Sequence, residues 1–265
     1  RPPLLPSPRP FKTPTSAGRP CRAGILASNP IPLPNPGVQW TRTASPCSPL
    51  TPTVRHPKRR PMHSEPPARD LADALNWVPG ALDLPRAGRA SVPADLPPTY
   101  IDLVALIGAG EGFVGHEYLR LFALDQLLWV NDAYGVGTYL PGHCMFGSNG
   151  CGEAYLFGPP TVAERAVIRV SFIPLDPDYV SQSWPSFDQF LLALVNAPPD
   201  NPDDPYPYTP DPDAIGKELH EVHPIALGGS PTDPANKVLV PVEKHAELVA
   251  FWNRTFNAIR QRAGA

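Results

Sequence analysis

Proline decides how this chain can be divided. There are 40 prolines in 265 residues, and each fixes φ and removes a backbone donor, so no fold can take them up evenly along its length. Residues up to Pro61 are dominated by Pro, Ser, Thr and Arg, open as RPPLLPSPRPFKTPTSAGRP, and show no apolar periodicity at helix or strand spacing. Such a stretch buries too little apolar surface to offset its conformational entropy. Residues 1–66 are therefore expected to form a disordered Pro/Arg-rich tail. Met62, the first methionine, stands where the composition changes and is a candidate start. The competing reading of the tail is a basic arm for nucleic acid, densest in HPKRR at 56–60.

The tail and the rest of the chain carry opposite charge. It holds 10 of the 22 Lys and Arg residues and none of the 25 Asp and Glu, so 12 cations face 25 anions from Met62 onward, a balance of −13. An acidic surface of this kind repels phosphate backbones and attracts basic proteins. Cys21 and Cys47 lie in the tail, and Cys144 and Cys151 have no His at ligand spacing. Buried free thiols are expected there rather than a disulfide scaffold or zinc knuckle. No apolar run reaches the roughly 18 residues of a membrane span, and a cytoplasmic setting is expected.

From 67 to 198 short apolar runs alternate with Gly and Pro. ARDLADALNWVPGAL reads as a helix with Leu71, Leu75 and Trp77 or Val78 toward a core. LPPTYIDLVALIGAGEG reads as a helix started by proline and stopped by glycines, with Tyr100, Leu103, Val104 and Ile107 on one stripe. YLRLFAL (118–124), EAYLFG (153–158) and AVIRVSFI (166–173) have strand character, and SFDQFLLALV returns to helical spacing through Phe187, Phe190, Leu191 and Leu194. The order is that of an α+β fold. The run NAPPDNPDDPYPYTPDP at 196–212 reads as a linker, with its bounds drawn at 199–214, and residues 215–265 form a compact unit of different character.

One segment, FGSNGCGEAYLF at 146–157, is more specific than the rest. Phe146, Tyr155 and Phe157 can anchor two strands, while Gly147, Asn149, Gly150 and Gly152 permit positive φ in a tight turn. Glu153 could accept hydrogen bonds from the turn amides. No Lys or Ser/Thr sits at P-loop spacing, so a structural hairpin is favoured over a phosphate cradle. With LPPTY, GAGEGF, the LDQL region, Asn131 and the closing SFDQFLLAL in the same order, this segment resembles the SUKH superfamily, which includes the yeast Smi/Knr-type regulators and bacterial immunity proteins. The resemblance implies an α+β fold with a mixed sheet flanked by helices. It also implies action through a surface, usually by neutralising a toxin that is often a nuclease. Residues 67–198 carry six arginines against 14 acidic residues, −8, so a basic toxin is the expected partner. A regulatory scaffold like the yeast relatives is a further reading.

The C-terminal stretch ELHEVHPIALGGSPTDPANKVLVPVEKHAELVAFWN resembles the HNH, or ββα-metal, nuclease motif of colicin-type DNases, through His220, Pro224, Gly228, Gly229, Asn236 and His245. The resemblance puts His220 and His245 at metal-ligand positions, where zinc or magnesium would sit, and Asn236 where the hairpin loop is braced. Departures occur at the chemistry. The general-base position falls on Glu221, with His223 as a nearby imidazole, and the further ligand position falls on Val249. Six cations against five anions from 215 onward offer little grip on DNA. A non-catalytic scaffold is therefore favoured over an active endonuclease, and nucleic acid is a partner only under the latter. Along the last helix Leu248, Phe251, Trp252, Thr255 and Ile259 lie near one stripe and are expected to be core.

Overall fold

The computed structural model describes residues 77–80, 82–86, 92–93, 95–160, 165–198 and 210–263. The expected tail, most of the first expected helix and much of the expected linker fall outside them. Of that first helix, Val78–Pro79 belongs instead to a short strand, β1.

Proline opens the second element as expected. Pro98 sits in the first turn of α1 (Pro98–Ile107), where a missing N–H costs nothing, and Gly108 ends the helix with φ of 78°. Tyr100 and Ile107 are buried, and Leu103 and Val104 pack against the same core. The glycines of GAGEGF do more than stop this helix, because Gly110–Val114 forms strand β2. A Cβ on Gly110 would lie 2.2 Å from the Val78 carbonyl, so glycine is what lets β1 and β2 pair.

β3 (Glu117–Leu121) follows across a tight turn, then α2 (Leu127–Ala133) and α3 (Val136–Tyr139), then β4 (Cys144–Ser148), β5 (Glu153–Phe157), β6 (Val167–Ser171) and β7 (Val180–Trp184). The seven strands pair in sequence order, each antiparallel to its neighbour. The α+β class stands, but the expected mixed sheet is antiparallel throughout. Two connections, β1 to β2 through α1 and β3 to β4 through α2 and α3, contain helices, yet each returns the next strand in the opposite sense, and the remaining connections are turns or loops.

α4 (Phe187–Val195) starts at Ser186, whose hydroxyl accepts from the Gln189 amide. Phe187, Phe190 and Leu194 are its buried stripe. With Tyr100 of α1 they enclose the anchors of the motif: Tyr100 meets Phe146, Phe157 and Phe187 edge-on at 5.2–5.5 Å, and Phe146 stacks on Phe157 at 4.2 Å. Each of these fully buried rings contributes about 2 kcal/mol from area alone, with more from edge-to-face contact.

The C-terminal unit is a two-stranded hairpin, β8 (Lys217–Glu221) and β9 (Lys237–Pro241), followed by α5 (Val242–Ala263). It shares the core of the sheet domain, to which Val242, Ala246 and Val249 contribute. The buried stripe of α5 is Val242, His245, Ala246, Val249, Asn253 and Phe256, not the one expected from apolarity. Phe251 and Ile259 are about half exposed, at 52% and 47%. The expected stripe failed because two buried positions carry the polar residues His245 and Asn253, which a search for apolar spacing passes over. Among the described residues no helix is long and apolar enough to cross a membrane.

Candidate functional site

The motif hairpin is built as a docking edge. Gly150 and Gly152 have φ of 69° and 102°, the left-handed region that glycine occupies without strain. Gly147 serves differently from expectation: it lies within β4, where a Cβ would come 2.3 Å from the Arg120 carbonyl. Glu153 is not the acceptor for the turn amides. Asn149 Oδ1 takes the Cys151 and Glu153 amides at 2.9 and 3.0 Å, while Glu153 accepts from the Asn149 side chain and the Ser181 hydroxyl and pairs with Arg169. Asn131 of α2 clips β4 in place by accepting from the Met145 amide at 2.7 Å and donating to its carbonyl at 2.9 Å. Cys144 is a buried free thiol, pushed up to about 11 by burial. Cys151, expected as another, is disulfide-bonded.

Against this hairpin lies a row of polar side chains across three neighbouring strands. Glu111 of β2 is paired with Arg120 of β3, and Arg120 with Ser148 of β4, so all three project from one face of the sheet. Glu111 Oε2 accepts from Tyr118 Oη at 2.7 Å and from Arg120 Nε at 2.8 Å. Arg120 Nη1 and Ser148 Oγ both donate to Glu218 Oε1 of β8, and Arg120 Nη2 donates to the Lys217 carbonyl at 2.7 Å. The Leu219 amide donates to the Gly150 carbonyl at 3.0 Å. Arg120, Glu111 and Glu218 are entirely enclosed. Burial alone would lower the Arg120 pKa, but Glu218 and Glu111 more than offset this and hold it above the usual value. Burial also raises the Glu218 carboxyl against the pull of Arg120, and Glu218 Oε2 lacks a hydrogen-bond partner among the described residues.

His220 and His245 come together behind this row. Their rings are 5.4 Å apart, edge to face, because His220 is on the inward face of β8 and His245 on the inward stripe of α5. Both are held neutral. Burial lowers His245 well below its usual range, with His220 and Arg120 acting in the same direction. Burial likewise lowers His220. Tyr134 Oη lies 2.9 Å from His245 Nδ1, and Phe172 closes edge-on at 4.8 Å.

The remaining C-terminal candidates do not join them. Glu221 follows His220 on the strand and projects from its other face, bound to Lys237 Nζ at 2.7 Å and accepting from the Ile225 amide at 2.9 Å. His223 is exposed, its ring 6.3 Å from that of Trp252. Asn236 spans the hairpin loop: it accepts from the His223 amide at 2.7 Å and donates to the His223 and Ser230 carbonyls, both at 2.9 Å. Gly228 caps a short helical turn with φ of 96°. Gly229 is pressed so close that a Cβ would sit 1.8 Å from the His223 carbonyl oxygen.

These donors do not fit a metal. Two imidazoles form the whole set, one already committed to Tyr134 through Nδ1, and the apolar, fully buried Val249 stands where a third ligand is needed. Among the described residues no group of three or more His, Cys, Asp or Glu side chains could hold a metal ion. Sequence reading missed Asn253, which is 1% exposed. It accepts from the Leu175 amide at 2.8 Å and donates to the Phe172 carbonyl at 2.9 Å, fixing α5 to the loop after β6.

The sheet carries the motif hairpin at β4–β5, with its aromatic anchors under α1 and α4. Residues 89–193 match the model of the SMI1 / KNR4 family (SUKH-1). The SUKH-1 match takes in α1 to α3, β2 to β7 and α4 up to its last two residues, and the ββα unit lies beyond it. No curated protein was found to match the chain.

Proposed function

We propose that the chain is an immunity-type binding protein of bacterial origin, whose acidic SUKH-1 domain captures and neutralises a basic toxin. One observation carries this reading. Every described arginine between 67 and 198 is held by the chain's own carboxylates: Arg86 by Asp125, Arg120 by Glu111 and Glu218, Arg165 by Asp95, and Arg169 by Glu153. No lysine occurs in that stretch. Asp83, Asp102, Asp132 and Asp188 are exposed and form no ion pair among the described residues. The field that reaches solvent is therefore negative and is not cancelled locally, which speeds encounter with a cationic protein and disfavours nucleic acid. The test is co-expression with the toxin encoded beside the gene. The unaltered chain should suppress toxicity, and a chain with all four aspartates changed to Lys should not. Full suppression by that variant overturns the reading.

A second reading, a metal-dependent HNH-type endonuclease, draws its support from the ring contact between His220 and His245. Against it stand the incomplete donor set and the commitment of Glu221 to Lys237. Purified chain incubated with plasmid and Mg²⁺, Mn²⁺, Ni²⁺ or Zn²⁺ should leave the DNA intact. Cleavage abolished by His220→Ala would replace the first reading with this one.

A further inference from the structure

Where α2 and α5 run side by side they leave an open groove of about 370 Å³. Trp129 and Ala133 form one wall, and the other is the stripe of α5 from Glu243 to Arg254. Eleven residues of helix separate those two, so the groove is about 16 Å long. Its floor is shallow because Ala133, Ala246 and Ala250 stand where larger side chains would fill it. Trp129 is half-buried, with its ring partly open to the groove, and Leu128 beside it is 53% exposed.

The charges are divided along the groove. Glu243 and Glu247 sit at one end, and Asp132, next to Ala133 in the sequence of α2, is exposed. Asp132 and Glu243 form no ion pair among the described residues, and Glu247 is engaged only by Lys244 of its own helix. Arg254 stands at the far end. We infer that this groove is the contact site for the partner and that its occupant is an amphipathic helix of a basic protein. Small side chains in the floor let a partner backbone approach closely, as in helix-in-groove recognition. Trp129 offers a face to a Lys or Arg stem and its cation, and the carboxylates hold the charged head. A phosphate backbone or an anionic lipid surface would be repelled by the same groups. One wall belongs to the segment matched by the SUKH-1 model and the other lies outside it, so the C-terminal helix completes the site. The inference rests on the partner-binding reading above and gives it a location.

The probe is a fluorescein-labelled, 18-residue Leu/Lys amphipathic helical peptide titrated into the full chain and followed by anisotropy. The unaltered chain should bind it. The double variant Glu243→Lys with Glu247→Lys and the groove-filling Ala250→Trp should each weaken binding at least about tenfold, whereas Gln189→Lys at an exposed position of α4 should change it by less than about twofold. The double variant alters only exposed side chains, and an unchanged melting temperature shows that its loss of binding is not unfolding. Absence of binding by the unaltered chain, wild-type affinity in both groove variants, or an equal loss in Gln189→Lys would overturn the groove. The two proposals fail separately. Suppression of the neighbouring toxin that survives both groove variants removes the groove alone. A chain that suppresses no such toxin removes the immunity reading, while the peptide titration still judges the groove.

Discussion

Arg120 of β3 and Glu218 of β8 face each other with both side chains fully enclosed, 98 residues apart in sequence. Removing one member of a buried pair leaves the other charged and unpaired, which is far more costly than the pair itself is favourable. Arg120→Met should therefore destabilise the chain by about 3–5 kcal/mol, read from the urea unfolding midpoint. A loss below about 1 kcal/mol would mean that Glu218, whose carboxyl burial raises, is already neutral in the folded protein.

Acid should loosen the C-terminal unit through its imidazoles. His245 has a folded-state pKa well below the usual 6.5, so in the window between the two values the unfolded chain binds a proton that the folded chain refuses. Stability is full above pH 6.5 and falls as the pH drops below it. His220 acts with the same sign. Glu218, raised from 4.5, has the opposite sign, since its contribution is present at low pH and lost as the pH rises. His245→Phe separates them: its melting temperature should fall less between pH 7 and pH 5 than that of the parent. Equal slopes would show that His245 is not the group responsible.

Two adjacent glycines should respond very differently to the same change. Gly228 has φ of 96° but open space around its Cβ position, so Gly228→Ala should cost about 1 kcal/mol. Gly229→Ala would drive a methyl into the His223 carbonyl and should cost at least about 3 kcal/mol. Thermal unfolding of the two variants in parallel checks the order, and a reversed order contradicts the loop geometry.

Asn253→Ala leaves the Leu175 amide and the Phe172 carbonyl without their partner in a buried place, at about 2–3 kcal/mol. Native-state hydrogen exchange should show the loss first at the Leu175 amide. Unchanged protection there would mean that α5 is held by its apolar contacts alone.

The SUKH-like part was legible because its signals are local. Proline at the start of α1, the glycines of the β4–β5 turn and the spacing of Phe187, Phe190 and Leu194 each act within a few residues. Gly110 and Gly147 were harder to read, since their reason is a neighbouring strand and only the pairing reveals it. The stripe on α5 was misread for a related cause: His245 and Asn253 look like surface residues until Tyr134, Phe172 and Leu175 are placed opposite them. The charge row was illegible for the same reason, because Glu111 and Glu218 meet at Arg120 across more than a hundred residues.

The contact between the Leu219 amide and the Gly150 carbonyl bears on how such a gene can be reshuffled. A recombination joint placed in the Pro/Asp segment would look safe, falling between two recognisable pieces. Yet the inherited first piece would carry Arg120 beside one carboxylate instead of two, and the motif turn would present a carbonyl with nothing to accept from. The two pieces can be exchanged between lineages only as a matched set, with the hairpin edge and the strand that docks on it inherited together.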